Sequence, residues 1–148
     1  MNAIAIHEAF KPQGSSAPPV PAVSAGAGCI WLHLYQAVTG GSGRYVQGRG
    51  CNTVGIAGLV LGGGFGSFSK NYGVAAASLL EVEIVTADGK TRIVNAVQEP
   101  DLFWAPKGGG GTFGVVTRMT LATHELPANF GSVLCPTTGC SSAWTSKA

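Results

Sequence analysis

Residues 50–66 read Gly-Cys-Asn-Thr-Val-Gly-Ile-Ala-Gly-Leu-Val-Leu-Gly-Gly-Gly-Phe-Gly. A cysteine, Cys51, stands just before a glycine-punctuated turn that opens a short apolar helix. The hydroxyl of Thr53 is placed to cap that helix by accepting one of its free N–H groups. Val54, Gly55 and Ile56 then contribute first-turn N–H groups, and Gly55 and Gly58 leave the backbone uncovered. Bare N–H groups at a helix start form an anion site, most often for phosphate. Gly62, Gly63 and Gly64, followed by Gly66, give an open backbone that suits a flat ring or a ribityl chain. A bound nucleotide cofactor is one reading of this stretch and a glycine-rich packing turn is the other. On pattern alone the two stand level.

Composition narrows the choice of class. The 148 residues suffice for one domain with a core. The chain is 45% apolar but only 11% charged, against about 25% in ordinary globular domains, and carries 23 glycines. Such a balance fits a backbone packed closely on itself or on a ligand, or a domain whose polar exterior lies elsewhere. A net charge of +2, with no basic run, argues against a nucleic-acid partner. The uncharged span between Arg49 and Lys70 is broken by too many glycines for a membrane helix, and the first residues lack the pattern of a signal peptide. The four cysteines, at 29, 51, 135 and 140, form no Cys-x-x-Cys pair; Cys135 and Cys140 read as unpaired thiols, with a disulfide or half a metal site as the alternatives.

Outward from the motif, the pattern is one of strands and short helices. Val20–Ser24 reads as a strand, about 30–38 as a helix and Arg44–Gln47 as a strand. Residues 67–73 read as a loop or single helical turn. Leu79–Thr86 alternates Leu80, Val82 and Ile84 against Glu81 and Glu83, the mark of a half-buried strand. Asp88-Gly89 turns it into a partner strand over Thr91–Asn95. A short helix over 99–105 has Pro100 in its first turn. The second glycine run, Gly108–Gly111, feeds a strand over Phe113–Thr123. Phe113, Val115, Met119 and Leu121 are expected on one face of that strand, with Gly114, Val116 and Arg118 on the other. Two open glycine loops in one small domain favour a ligand cleft between them. The class is α+β, an antiparallel sheet with short helices. The turn at Gly26-Ala27-Gly28 fails as a dinucleotide fingerprint because Trp31 holds its third glycine position. His7, His33 and His124 stand at no metal-ligand spacing.

Five motifs, in order, then carry a resemblance. They are Gly-Arg-Tyr-Val-Gln-Gly-Arg-Gly-Cys-Asn-Thr-Val-Gly-Ile-Ala-Gly (43–58), Gly-Gly-Gly-Phe-Gly-Ser-Phe-Ser-Lys-Asn-Tyr-Gly (62–73), Leu-Leu-Glu-Val-Glu-Ile-Val-Thr-Ala-Asp-Gly (79–89), Asp-Leu-Phe-Trp-Ala (101–105) and Gly-Gly-Gly-Gly-Thr-Phe-Gly-Val-Val-Thr (108–117). Over about 1–131 the chain resembles the second part of the FAD-binding domain of the vanillyl-alcohol oxidase/p-cresol methylhydroxylase (PCMH-type) superfamily, nearest its berberine-bridge-enzyme-like branch. Residues 132–148 resemble nothing in it and read as a disordered tail.

The resemblance implies FAD. Cys51 matches the cysteine bonded to flavin C6 in bicovalent members. Val54, Gly55 and Gly58 match the turn facing the pyrophosphate, Gly62–Gly66 the segment along the flavin, and Gly114, Val115 and Val116 a strand contacting the cofactor. It implies hydride transfer from a small-molecule substrate to flavin N5, with reoxidation commonly by O2. The family's upstream Arg-x-Gly-Gly-His loop, its substrate domain and its C-terminal flavin-contacting segment have no counterpart here, and Leu59 replaces a common histidine. The expectation is therefore a fragment of an oxidase. The alternative is a non-catalytic remnant or interaction module without flavin.

Overall fold

The computed structural model describes residues 2–126. The expected boundary at 131, the tail 132–148, Cys135 and Cys140 lie outside the described residues. Six strands form one sheet: β1 (Ile4–Phe10), β2 (Val20–Gly26), β3 (Arg44–Val46), β4 (Leu79–Val85), β5 (Thr91–Asn95) and β6 (Val115–Glu125). Their order is β1-β2-β6-β4-β5, with β3 on the C-terminal end of β6, and every pairing is antiparallel. The helices are short: α1 (Trp31–Tyr35), α2 (Ile56–Leu61), α3 (Ser69–Tyr72) and α4 (Pro100–Trp104). This is the α+β, antiparallel arrangement that the sequence indicates.

The core lies on one face of the sheet. Val23 and Ala25 of β2, Val82 and Ile84 of β4, and Met119 and Leu121 of β6 pack against Trp31 and Leu34 of α1 and against Ile56, Leu59 and Val60 of α2. Polar groups satisfy one another on the opposite face. His7 Nε2 lies 2.9 Å from Ser24 Oγ, which lies 2.8 Å from Thr120 Oγ1. Arg118 pairs with Glu83 at 3.1 Å.

Several elements differ from the sequence reading. The strand β1 had no periodic signal strong enough to mark it; it is an edge strand held by β2. The helix near 30–38 is α-helical only to Tyr35 and continues as a π-turn over Gln36–Gly40. Val38, Thr39 and the Gly40-Gly41 pair are poor α-formers. In β4 the register slips between Leu79 and Glu81, so Leu79 is buried where Leu80 was expected. In β6 a second slip occurs, Glu83 pairing with Arg118 and Ile84 with Val116. The bulge at Thr117 reverses the strand's phase. Val116 therefore enters the core, while Val115 is 66% and Phe113 45% exposed. The expected faces hold only for Met119 and Leu121 against Arg118. The Asp88-Gly89 turn is as read, with Gly89 at φ 74°.

Candidate functional site

The stretch 47–66 is fastened from beneath by α1. Tyr35 Oη donates to the Arg49 carbonyl at 2.7 Å and accepts from the Arg49 N–H at 2.8 Å. Gly48 lies flat on this pair of rings: a Cβ there would overlap Tyr35 Oη and sit 2.6 Å from the Trp31 ring. Farther on, Leu32 N–H donates to Asn52 O at 2.8 Å, Trp31 N–H to Val54 O at 3.1 Å, and Ile56 N–H to Cys29 O at 2.9 Å. These bonds keep the backbone extended through Gly55 (φ −65°, ψ 139°), which is the residue that caps α2.

Two expectations are corrected here. Thr53 does not cap the helix; the bonds to α1 delay its start by two residues, and the Thr53 hydroxyl faces Cys51 Sγ at 3.6 Å instead. The Ile56 N–H is committed to Cys29, so it is not available to an anion. The N–H groups of Gly55, Ala57 and Gly58 have no acceptor among the described residues. They are the donors that remain at this helix start.

The glycines divide into two kinds. Gly64, at φ 73°, would bring a Cβ to 2.7 Å from that of Ala75, and a Cβ on Gly66 would overlap the Gly48 carbonyl oxygen. Gly63 is at φ 89°, and Gly114 would place a Cβ 2.6 Å from Val85 O. At these four positions the protein's own packing or backbone requires glycine. Gly62 meets only ordinary contacts, at 3.5 Å to Gly58 O. Gly55 and Gly58 have nothing within 4 Å and no positive φ. Glycine inside a helix costs about 1 kcal/mol relative to alanine, and nothing among the described residues accounts for that cost at Gly58. The space above Gly55 and Gly58, edged by free N–H groups, fits a bound phosphate-bearing group, which the packing-turn reading does not explain.

Cys51 is exposed, whereas Cys29 is buried. The Thr53 hydroxyl, helped by the N–H groups of Thr53 and Val54 and by the charge of Arg49, holds the Cys51 thiol below its usual range. This increases the thiolate fraction, the reactive form. The second glycine loop joins the first: Gly110 N–H donates to Leu61 O at 3.0 Å, and Gly108 lies against Gly63. Gly114–Val116 packs against β4, at the opposite end of β6 from Leu126. With its side chain in the core, Val116 offers a ligand only its backbone.

Two features were not anticipated. The first is a cavity of about 400 Å³ beside Gly50, lined by Tyr35, Tyr45, Phe68, Arg49 and Leu126 among others. The second is a network in which fully buried Gln47 accepts from Tyr45 Oη at 2.5 Å and donates to Ser69 Oγ at 3.0 Å, while Ser69 accepts from Gly66 N–H at 2.9 Å. The residues that line the cavity come from four separate segments, so no local pattern reveals it. Among the described residues there is no cluster that would hold a metal ion, and no helix is long and apolar enough to cross a membrane.

Comparison with known proteins identifies the family. The sequence profile described as the FAD binding domain matches residues 20–95. The chain is 50% identical over 122 residues to the FAD-linked oxidoreductase malF of Malbranchea aurantiaca, covering 80% of this chain and 20% of that protein. It is 46% identical over 145 residues to the FAD-linked oxidoreductase easE of Arthroderma otae, covering 94% and 23%. Among solved structures it resembles the VAO-type flavoprotein MtVAO615 of Myceliophthora thermophila C1, with a TM-score of 0.77 and 37% identity over 84% of this chain and 22% of that one. It also resembles the Acremonium strictum glucooligosaccharide oxidase, whose structure revealed a novel flavinylation, with a TM-score of 0.76 and 26% identity over 86% and 24%. The chain thus spans about a fifth to a quarter of the length of these relatives.

Proposed function

This chain belongs to the FAD binding domain family, and we propose that it supplies the part of an FAD-dependent oxidoreductase that grips the cofactor's pyrophosphate and tethers its ring. The observation that carries this reading is the open ledge at Gly55 and Gly58, with the free N–H groups of Gly55, Ala57 and Gly58. Oriented N–H dipoles at a helix start favour an anion. Cys51, exposed and with its thiol lowered, would hold the ring covalently through flavin C6. Gly62 and Gly63 would leave room for the ring and ribityl chain to pass, while Gly64 and Gly66 keep that backbone tight against Ala75 and Gly48. Gly114 and Val115, with the Val116 backbone, would close the cofactor site from β6. Bound FAD would supply a two-electron acceptor, taking hydride from a small-molecule substrate at N5 and passing the electrons to O2.

We further propose that the chain acts as one piece of a longer oxidoreductase, a reading supported by the share of its relatives' length that it covers. The remaining parts would supply the substrate-side acid or base. An interaction module without flavin is the competing reading, and the exposed Phe65 and Trp104, at 76% and 78%, would serve it. Expression with FAD separates the two. The expected result is flavin that stays with the protein after acid denaturation, and Cys51→Ser should release it while leaving reversible binding. A folded chain that binds no FAD would refute the cofactor reading.

A further inference from the structure

The cavity beside Gly50 has a chemistry of its own. It is lined by the aromatic residues Tyr35, Tyr45 and Phe68 with Leu126, and by the polar residues Thr39, Ser67 and Arg49. A volume of about 400 Å³ lies within the usual range for small-molecule sites, roughly 300–1,000 Å³. The two tyrosine hydroxyls are already engaged, Tyr35 with the Arg49 backbone and Tyr45 with Gln47. Burial raises both phenols, Tyr45 to about 12, so neither contributes negative charge near neutral pH. No carboxylate among the described residues lines the cavity.

Among the described residues, Arg49 is therefore the only charged residue that lines it. The other three arginines are all engaged: Arg44 donates to Thr123, Arg92 pairs with Asp88 and Glu99, and Arg118 pairs with Glu83. The Arg49 guanidinium makes no hydrogen bond or ion pair among the described residues, and its charge acts on the neighbouring Cys51 thiol. Flat aromatic walls select a planar apolar body through offset or edge-on ring contacts. A lone guanidinium selects an anion, with a carboxylate's two oxygens matching its fork.

We propose that this cavity binds a small aromatic anion, a planar ring bearing a carboxylate or similar acidic group, as the substrate presented beside Cys51. The assignment of the ligand as substrate rests on the flavin reading above, since Gly50 on the cavity wall adjoins the cysteine that would tether the ring. Arg49 would be a binding and specificity residue.

The test is calorimetric titration of the full chain with 3-phenylpropionate and with its neutral amide. Because a hydrogen bond to a charged group contributes about 1.5–3 kcal/mol, the acid should bind about tenfold or more tighter than the amide. Arg49→Gln should reduce the acid to the affinity of the amide, and Arg49→Lys should keep part of the preference. Phe68→Ala should weaken both ligands alike. Circular dichroism confirms that each variant is folded. Equal affinities for acid and amide, or no binding of either, would overturn the proposal. So would displacement of the acid by FAD, which would make the cavity the seat of the flavin itself. Flavin retention without acid binding sinks this inference alone, whereas acid binding by a chain that retains no flavin sinks the flavin reading and leaves the anion site standing.

Discussion

Replacing Gly58 by alanine separates what the fold needs from what the cofactor needs. Gly58 occupies the third position of α2, with an ordinary helical φ and no heavy atom within 4 Å of where a Cβ would stand. Without ligand the substitution should stabilise the chain by about 0.5–1 kcal/mol, the difference in helix propensity between the two residues. For a domain of this size that corresponds to a rise in melting temperature of a few degrees, on the order of 2–6 °C. With FAD the sign reverses. The added methyl group occupies the surface the pyrophosphate would approach, and overpacking of a close contact costs about 1–3 kcal/mol, or roughly 5- to 150-fold in affinity. Gly66→Ala provides the contrast, because its Cβ would overlap the Gly48 carbonyl oxygen and the apo chain itself should lose stability. The assay is urea unfolding followed by tryptophan fluorescence, run with and without FAD on both variants. A Gly58→Ala chain that is less stable without FAD, or that binds FAD as the parent does, would refute the reasoning.

Two further outcomes follow from the geometry. Alkylation of Cys51 by iodoacetamide, followed by peptide mass mapping, should reach half its maximal rate at a lower pH than for a free thiol, with Cys29 protected until the chain unfolds. Thr53→Ala should shift that midpoint upward, and an unchanged midpoint would discount the hydroxyl as its cause. Burial pushes the Tyr45 phenol from 10.0 to about 12. A folded value above the unfolded one means that its contribution is intact below pH 10 and lost as pH rises toward 12. The stability gap between the parent and Tyr45→Phe, measured by urea midpoint, should shrink across that window, and a constant gap would contradict the assignment.

The sequence was most readable where chemistry is local. Asp88-Gly89 specifies its hairpin because Gly89 takes a positive φ, and the alternation around Val82 and Ile84 marks β4 because one face is buried. The β6 faces were misread because a bulge changes strand phase without any residue that announces it; Thr117 has the same sequence character in or out of register. Thr53 failed as a cap for a non-local reason, since α1 holds residues 52–56 extended from some twenty positions upstream. The candidate site shows the same division. Cys51, Gly55 and Gly58 were legible as a motif, whereas which glycines serve packing and which face open space depends on Gly48, Ala75 and Val85, contacts that only the folded chain creates.

The arrangement of strands also bears on how the molecule is made. β6 pairs with β2, β4 and β3, yet it is the last strand in the order of the described chain. As the polypeptide emerges from the ribosome, the hairpins β1–β2 and β4–β5 can each close locally, but the core stays open to solvent until residues 115–125 insert between them. Folding is thereby deferred to the end of synthesis of this segment, with long-range pairing as the slow step. A ribosome stalled before residue 115 would present two separated hairpins with their apolar faces uncovered, and a chaperone would find its substrate in that interval.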